Sequence, residues 1–128
     1  MKSVLIRLRS YAKVNLGLHI LGKRTDGYHE IRTVFQAIDL HDTLEIWVID
    51  GCGLEFESNV IELSKRDNLV VRAIQAVRRY TGVKANLAVR LEKRIPMGAG
   101  LGGGSSNAAA AVMGLDQLLN LKMSKQDW

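Results

Sequence analysis

The residues best suited to do chemistry in this sequence lie in a glycine-rich stretch at positions 95–107, which leads into a run of four alanines. Five of the twelve glycines fall within the seven positions 98–104. Glycine has no Cβ, so such a stretch can adopt left-handed backbone conformations and approach a ligand closely. Ser105, Ser106 and Asn107 are favoured N-cap residues, so we expect the next helix to begin among them. A glycine loop at a helix N-terminus brings free N–H groups and the positive end of the helix dipole together, which favours binding of a phosphate. The sequence therefore predicts a phosphate-binding loop and not a flexible surface loop without a ligand.

Three familiar phosphate loops do not fit this stretch. The P-loop pattern requires a lysine after its glycines, whereas Gly104 is followed directly by Ser105. The dinucleotide fingerprint G-x-G-x-x-G begins at Gly98, but residues 94–97 separate it from the preceding strand and no second strand follows. The glycine loop of protein kinases belongs to a hairpin, whereas the alanine-rich segment that follows here is helical by propensity.

Two further segments place polar side chains where they could meet a ligand. Apolar residues alternate from position 12 to 18, so Lys13 and Asn15 project side by side from the opposite face of a strand. Tyr28 and His29 follow the turn chemistry of residues 22–27, and such a pair could stack on and hydrogen-bond a nucleobase. Taken alone, a solvent-facing strand surface and an exposed edge aromatic are the commoner explanations of these two segments.

Hydrophobic periodicity predicts the elements that position these residues. Strands are expected at residues 4–9, 10–21, 31–38, 42–50, 54–57 and 85–92. A helix capped by Asp67 or Asn68 and ended by Gly82 is expected between the last two strands. Its apolar stripe is Val70, Ala73, Ile74 and Val77, and its outer, solvated face is Arg72, Gln75, Arg78 and Arg79. The helix after the glycine loop has the stripe Ala111, Leu115, Leu118 and Leu119.

Composition limits the possible classes of protein. A chain of 128 residues with 47% hydrophobic and 24% charged residues is typical of one globular domain. The single cysteine, Cys52, excludes an internal disulfide, and no His/Cys/Asp cluster has the spacing of a metal site. No apolar run approaches the roughly 18 residues of a membrane span, so we expect no membrane partner. The net charge of +5 suits an anionic ligand such as a nucleotide, although a solvated basic surface gives the same value.

The pattern P-x-G-x-G-L-G-G-G-S-S-x-A at positions 96–108 resembles the ATP loop of the GHMP kinases, a family named for galactokinase, homoserine, mevalonate and phosphomevalonate kinases. The resemblance extends over essentially the whole chain. It implies an α+β fold in which a mostly antiparallel sheet carries helices on one face, like the second domain of ribosomal protein S5. The residues it implies for ATP binding are Pro96, Met97, Gly98, Ala99, Gly100, Leu101, Gly102, Gly103, Gly104, Ser105 and Ser106.

The same resemblance gives roles to residues outside the loop. The segment around Lys13 is similar to the family's N-terminal substrate motif, which implies that Lys13 is catalytic or positions phosphate and that Asn15 contacts the substrate. Tyr28 and His29 lie in a segment that resembles the cytosine-holding segment of one branch of the family. Asn68 lies in a segment that resembles the border of the adenine site.

The function implied by the resemblance is ATP-dependent phosphorylation of a hydroxyl group on a small cytidine diphosphate substrate, in the non-mevalonate isoprenoid pathway. Mg²⁺ would accompany ATP, with Ser105 or Ser106 able to reach it, and the expected location is the cytoplasm, or the plastid stroma in a plant. The alternatives are a nucleotide-binding fragment without turnover and another small-molecule kinase of the family. A basic RNA-binding domain is a further rival, but the basic residues are scattered without an alternating aromatic platform, so we expect no nucleic-acid partner.

Residues 124–128 read as the cap and first turn of another helix. We therefore expect residues 1–128 to be the N-terminal ATP-binding domain of such a kinase, apparently truncated, with the C-terminal GHMP domain absent. The family's proton-accepting aspartate would then lie beyond residue 128. Loss of a proton acceptor typically lowers a rate by about 10²- to 10⁴-fold, so we expect this chain alone to be inactive.

Overall fold

A computed structural model describes residues 4–23, 29–51, 53–64, 68–98 and 100–123, with side chains at all of these except 15–23, 29–35 and 64. The strands are β1 (Leu5–Lys23), β2 (His29–Val48), β3 (Leu54–Ser58) and β4 (Leu87–Glu92). The helices are α1 (Ile61–Ser64), α2 (Leu69–Thr81) and α3 (Gly103–Leu119). The architecture is α+β, as the resemblance implied.

The sheet is mostly antiparallel, with strand order β1-β2-β4-β3. Strand β2 pairs antiparallel with β1 and β4, and only β3 and β4 run parallel. Strand β2 is continuous through residues 39–41, where the sequence pattern predicted a break between two strands. Strand β1 stays paired with β2 along its whole length by means of three register shifts, between Tyr11 and Lys13, Asn15 and Gly17, and Ile20 and Gly22.

The core lies between the sheet and helices α2 and α3. Alternation along β2 turns Leu44 and Ile46 inward, and the two helices pack against each other and over this face. Three of the four residues of the expected α2 stripe, Val70, Ile74 and Val77, are buried, and the fourth, Ala73, is half-buried. The buried apolar cluster consists of Leu44, Ile46, Val70, Ile74, Val77, Leu87, Val89, Leu91, Ala110, Ala111 and Leu115.

Both predicted ends of α2 are confirmed. Asn68 is the N-cap, its side-chain oxygen accepting a hydrogen bond from the N–H of Val71 at 3.1 Å, and Gly82 closes the helix in the left-handed conformation. The prediction of a solvated arginine face was wrong for Arg78. Its guanidinium donates to the carbonyl oxygens of Gly53 at 2.7 Å and Ala85 at 2.6 Å, because the turns that flank β3 and β4 leave these acceptors beside α2.

Helix α3 lies close to the sheet at Gly114. A Cβ at this position would lie 2.6 Å from Leu8 Cδ1 and 3.0 Å from Ile46 Cδ1. The small side chains of Ala110 and Ala111 on the same face are also buried. This stripe of small residues lets the helix backbone lie directly on β1 and β2. Within the described part of the chain, no helix has both the length and the apolar character needed to cross a bilayer.

We predict that Gly114→Val destabilises the fold by about 1–3 kcal/mol, the usual cost of overpacking a core. Met113→Val is the control, because it places the same β-branched side chain at an exposed position of the same helix, where it meets no clash. Urea denaturation followed by circular dichroism gives both free energies of unfolding. Equal losses in the two variants would contradict the close approach at Gly114.

Candidate functional site

A cleft of about 490 Å³ opens between the glycine loop, the start of α2 and the end of β4. Its lining residues are Leu63, Asn68, Leu69, Val70, Leu91, Lys93, Pro96, Met97, Gly98, Gly100, Leu101, Gly102, Gly103, Gly104, Ser105 and Asn107. None of these described lining residues is acidic, so no carboxylate of the lining would repel an anion.

The prediction that Ser105, Ser106 or Asn107 caps α3 was wrong. The N-cap is Gly102, in the left-handed conformation with φ 70°, and the helix begins at Gly103. The reason is that the Ser106 and Asn107 side chains are used elsewhere, in contacts with β1, β2 and Lys93. Helix α2 has a side-chain cap, whereas the described residues supply none for α3. The first turn of α3 also contains no acidic residue. The first-turn N–H groups and the positive dipole end thus meet the cleft.

The loop backbone needs glycine at alternate positions. Gly98, Gly100 and Gly102 all have φ between 70° and 73°, a left-handed backbone conformation that residues other than glycine rarely adopt. At Gly102 space is restricted as well, since a Cβ would lie 2.7 Å from Lys13 Cε. The backbone N–H of Lys13 donates to the Leu101 carbonyl at 2.9 Å. Strand β1 therefore carries Lys13 directly against the loop.

Part of the cleft lining is apolar. Leu69 and Met97 are exposed there, and Leu63, Leu91 and Pro96 also line the cleft. Leu69 lies beside the first turn of α3, where a Cβ at Gly104 would be 3.0 Å from its Cδ1. Asn68 also lines the cleft, but both ends of its side-chain amide bond backbone groups, the Leu63 carbonyl at 3.0 Å and the Val71 N–H at 3.1 Å. A flat, apolar ring against the apolar side chains and an anionic group at the glycine N–H groups would fit this lining.

A buried carboxylate lies beneath the cleft. Asp42 is fully buried, and its Oδ1 accepts hydrogen bonds from the N–H groups of Arg94 at 2.6 Å and Ile95 at 2.9 Å. Its Oδ2 accepts from Lys93 Nζ at 2.6 Å and Asn107 Nδ2 at 2.9 Å. Every donor comes from a residue that adjoins the glycine loop.

The hydrogen bonds continue from Asn107 towards β1. Asn107 Nδ2 also donates to Ser10 Oγ at 2.8 Å, and Ser10 donates in turn to Ser106 Oγ at 2.8 Å. Asn107 Oδ1 accepts from Lys93 Nζ at 3.1 Å. Because Ser106 Oγ accepts the hydrogen bond from Ser10, the Ser106 hydroxyl can donate its own hydrogen to another group.

Two opposing effects determine the pKa of Asp42. Burial disfavours the charged form and on its own would raise the pKa. The hydrogen bonds from Ile95, Lys93, Asn107 and Arg94 together outweigh burial and hold the pKa below its ordinary value. Asp42 is therefore ionised at neutral pH and forms a buried ion pair with Lys93, whose side chain is also almost fully buried.

The structure brings most of the expected site residues together. Pro96, Met97, Gly98, Gly100, Leu101, Gly102, Gly103, Gly104, Ser105 and Asn68 line one cleft, with Lys13 against its loop. Ser106 lies on the β1 side, bonded to Ser10. The backbone of Asn15 pairs with Phe35, and that of His29 pairs with Lys23 at the far end of the β1–β2 hairpin. Ala99 and Tyr28 lie outside the described residues.

Asp42, Lys93 and Ser10 belong to the site but were not predicted from the sequence. A signal was present, because strand alternation places Asp42 on the same face as the core residues Leu44 and Ile46. A charged residue at an inward position is expected to have a partner. Lys93 similarly follows the inward Leu91 by two positions. Among the residues the structure describes, no group of three or more His, Cys, Asp or Glu could hold a metal ion.

Comparison with known proteins shows which sequences this chain resembles. The sequence profile described as "GHMP kinases N terminal domain" matches residues 68–128. The chain is 44% identical over 122 residues to the 4-diphosphocytidyl-2-C-methyl-D-erythritol kinase of Thermoanaerobacter pseudethanolicus, covering 95% of this chain and 42% of that protein. It is 50% identical over 116 residues to the kinase of the same name from Thermotoga maritima, covering 91% and 42%. The chain thus spans less than half the length of these curated relatives.

Solved structures show the same similarity. The crystal structure of a 4-(cytidine 5'-diphospho)-2C-methyl-D-erythritol kinase superposes with a TM-score of 0.82 at 39% identity, covering 93% of this chain and 42% of that one. The homoserine kinase of Cytophaga hutchinsonii superposes with a TM-score of 0.71 at 22% identity, covering 96% and 38%. The second likeness is one of fold alone.

We predict that the stabilising contribution of Asp42 disappears in acid. Its pKa is lower in the folded than in the unfolded chain, so the contribution is complete above the unfolded-state value of about 3.9 and is lost as pH falls through the folded-state value. Asp42→Asn should cost about 3–5 kcal/mol at pH 7, the usual effect of breaking a buried ion pair, and progressively less below pH ~4.

Urea denaturation of the wild type and the variant from pH 7 down to pH 3 measures this difference. Glu45→Gln is the control, because Glu45 is a carboxylate on the same strand whose partner, Arg7, lies at the surface. A cost of Asp42→Asn that does not change with pH would contradict the assignment.

Proposed function

We propose that this chain, whose residues 68–128 match the N-terminal domain of the GHMP kinases, forms the ATP-binding part of a kinase that phosphorylates the 2-hydroxyl of 4-diphosphocytidyl-2-C-methyl-D-erythritol. This reaction is a step of the non-mevalonate isoprenoid pathway. One observation carries the nucleotide part of the proposal. The N-terminus of α3 has no side-chain cap among the described residues, and it opens into a cleft lined by the glycine-loop backbone.

In this proposal the β- and γ-phosphates of ATP occupy the glycine end of the cleft. The N–H groups of Gly103, Gly104 and Ser105 donate to phosphate oxygens, and the dipole of α3 adds a favourable field. The adenine lies against the exposed apolar side chains of Leu69 and Met97. Lys13, which β1 holds against Gly102, neutralises charge near the transferred phosphoryl group.

Mg²⁺ fits this site through the nucleotide more than through the protein. No described lining residue is a carboxylate, so the protein ligand available is a hydroxyl group. Ser105 is exposed and lines the cleft, whereas the Ser106 oxygen already accepts a proton from Ser10. Ser105 is therefore the first candidate. The ion would neutralise charge on the phosphate oxygens as the phosphoryl group moves.

The acceptor substrate is proposed to bind along the β1–β2 hairpin. Asn15 follows Lys13 by two positions on β1, and His29 lies at the start of β2. Together with Tyr28, these residues would hold the cytidine diphosphate group. Similarity to relatives named for this substrate supports the assignment. We place the proton acceptor for the hydroxyl in the part of the relatives that this chain does not span.

We predict that Gly100→Val weakens ATP binding at least about tenfold, equivalent to about 1.4 kcal/mol. Gly82→Val is a matched control, because Gly82 and Gly100 both have φ 73° and both have open space where a Cβ would lie. Each variant should suffer similar backbone strain, but only position 100 lies in the cleft. Isothermal titration calorimetry with ATP tests the pair. Equal ATP affinity in folded Gly100→Val protein and wild type would refute the nucleotide assignment.

We also predict that Tyr28→Ala weakens binding of 4-diphosphocytidyl-2-C-methyl-D-erythritol by ~1–3 kcal/mol, the usual contribution of a base-stacking aromatic. The ATP affinity of this variant should be unchanged.

Titration of the wild type with mevalonate and homoserine tests whether the protein belongs with other members of the family. Binding of either compound in preference to the cytidine substrate would assign the protein to a different branch.

A further inference from the structure

Asp42 contacts both ends of the glycine loop. On the side before the loop, its Oδ1 accepts from the backbone N–H groups of Arg94 and Ile95, directly after β4. On the side after the loop, its Oδ2 accepts from the Asn107 side chain in α3. Asp42 itself belongs to β2, the central partner of β1 and β4. One side chain of the sheet therefore forms hydrogen bonds with residues at both ends of the glycine loop.

We propose that Asp42 is a positioning residue that clamps the two ends of the glycine loop and holds the loop in its phosphate-binding shape before a nucleotide arrives. The proposal rests on the nucleotide function proposed above. Asp42 does not line the cleft and would not touch the nucleotide. It acts through Asn107 and Lys93, which do line it.

The arrangement requires a carboxylate at position 42. An ionised carboxylate accepts hydrogen bonds at both oxygens and donates none, whereas an amide presents one acceptor and one donor. With asparagine at this position, the oxygen can still face the N–H groups of Arg94 and Ile95. The amide nitrogen then faces the donors Lys93 Nζ and Asn107 Nδ2. The side of the clamp towards α3 is lost, while the side towards β4 can remain.

Clamping the loop ends has a direct effect on ligand binding. A loop held in its bound shape does not need to be ordered when the ligand arrives, so less of the interaction free energy is lost to ordering. The clamp also extends to β1, because Asn107 donates to Ser10 and Ser10 donates to Ser106. Release of Asn107 therefore frees the first turn of α3 from both β2 and β1.

The atom-by-atom pairing defines a rescue variant. In the double variant Asp42→Asn with Asn107→Asp, the amide nitrogen at position 42 donates to the new carboxylate at position 107. The new carboxylate also accepts from Lys93, whose Nζ lies 3.1 Å from Asn107 Oδ1 in the wild type. Net charge and the number of buried charges are unchanged. Glu45→Gln, on the solvent side of the same strand, controls for removal of a carboxylate elsewhere.

The first measurement is amide hydrogen exchange of the protein without nucleotide. Exchange within residues 94–107 should be at least about tenfold faster in Asp42→Asn than in the wild type or Glu45→Gln, because the loop opens more often when one end is released. The double variant should recover most of the protection. The second measurement is affinity for ATP and for adenosine. Asp42→Asn should weaken binding of ATP at least about tenfold, or 1.4 kcal/mol, and leave the affinity for adenosine, which has no phosphate group for the loop to bind, nearly unchanged.

Several results would overturn the proposal. Wild-type exchange rates in the folded Asp42→Asn protein would do so, as would equal weakening of ATP and adenosine, which is the result of a purely structural role. If Asp42→Asn fails to fold, the double variant decides. A folded double variant that protects the loop and binds ATP supports the clamp, and a folded one with an unprotected loop refutes it. If the wild type itself binds no ATP, the nucleotide function fails, and the exchange measurement still judges the clamp.

Discussion

The structure depends on a buried carboxylate that is fully satisfied by hydrogen bonds. Burying Asp42 without partners would cost several kcal/mol, since an ionised group loses its hydration in the interior. Four donors offset this loss, and they come from two separate parts of the chain, residues 93–95 and residue 107. These groups satisfy Asp42 together only when β2, β4 and α3 have their native arrangement. The carboxylate therefore specifies how the helix that carries the glycine loop sits on the sheet.

The open N-terminus of α3 follows from the same arrangement. Serine and asparagine side chains near a helix start normally turn back to cap it. Here Ser106 and Asn107 turn instead towards Ser10 and Asp42, and a glycine in the left-handed conformation takes the N-cap position. The first turn is thus fixed by tertiary contacts and leaves its N–H groups to the cleft. At the other end of the contact surface, Gly114 lets the helix lie close enough to β1 and β2 for these short side chains to reach their partners.

Much of this fold was predictable from local pattern. The stripe of α2, its Asn68 and Gly82 caps and the strand before the glycine loop all follow from periodicity and cap chemistry, because each depends on residues that are near in sequence. The N-cap of α3 and the role of Arg78 were not predictable in this way. Both are decided by hydrogen-bond partners that lie far away in sequence, Asp42 and Ser10 in one case and Gly53 in the other. Strand alternation could have identified Asp42, since it lies on the same inward face as Leu44. The segment nevertheless fits the pattern of an ordinary strand, so the charged residue at an inward position did not stand out.

The central claim is that the glycine loop and the first turn of α3 bind nucleotide phosphates. The most direct measurement is a titration of ¹⁵N-labelled protein followed by NMR, with ATP and adenosine compared. We expect the backbone amide resonances of Gly103, Gly104 and Ser105 to shift strongly with ATP and to change much less with adenosine, because these are the N–H groups proposed to donate to the phosphates. Equal shifts of these three amides with ATP and adenosine, or no shift with ATP, would contradict the account.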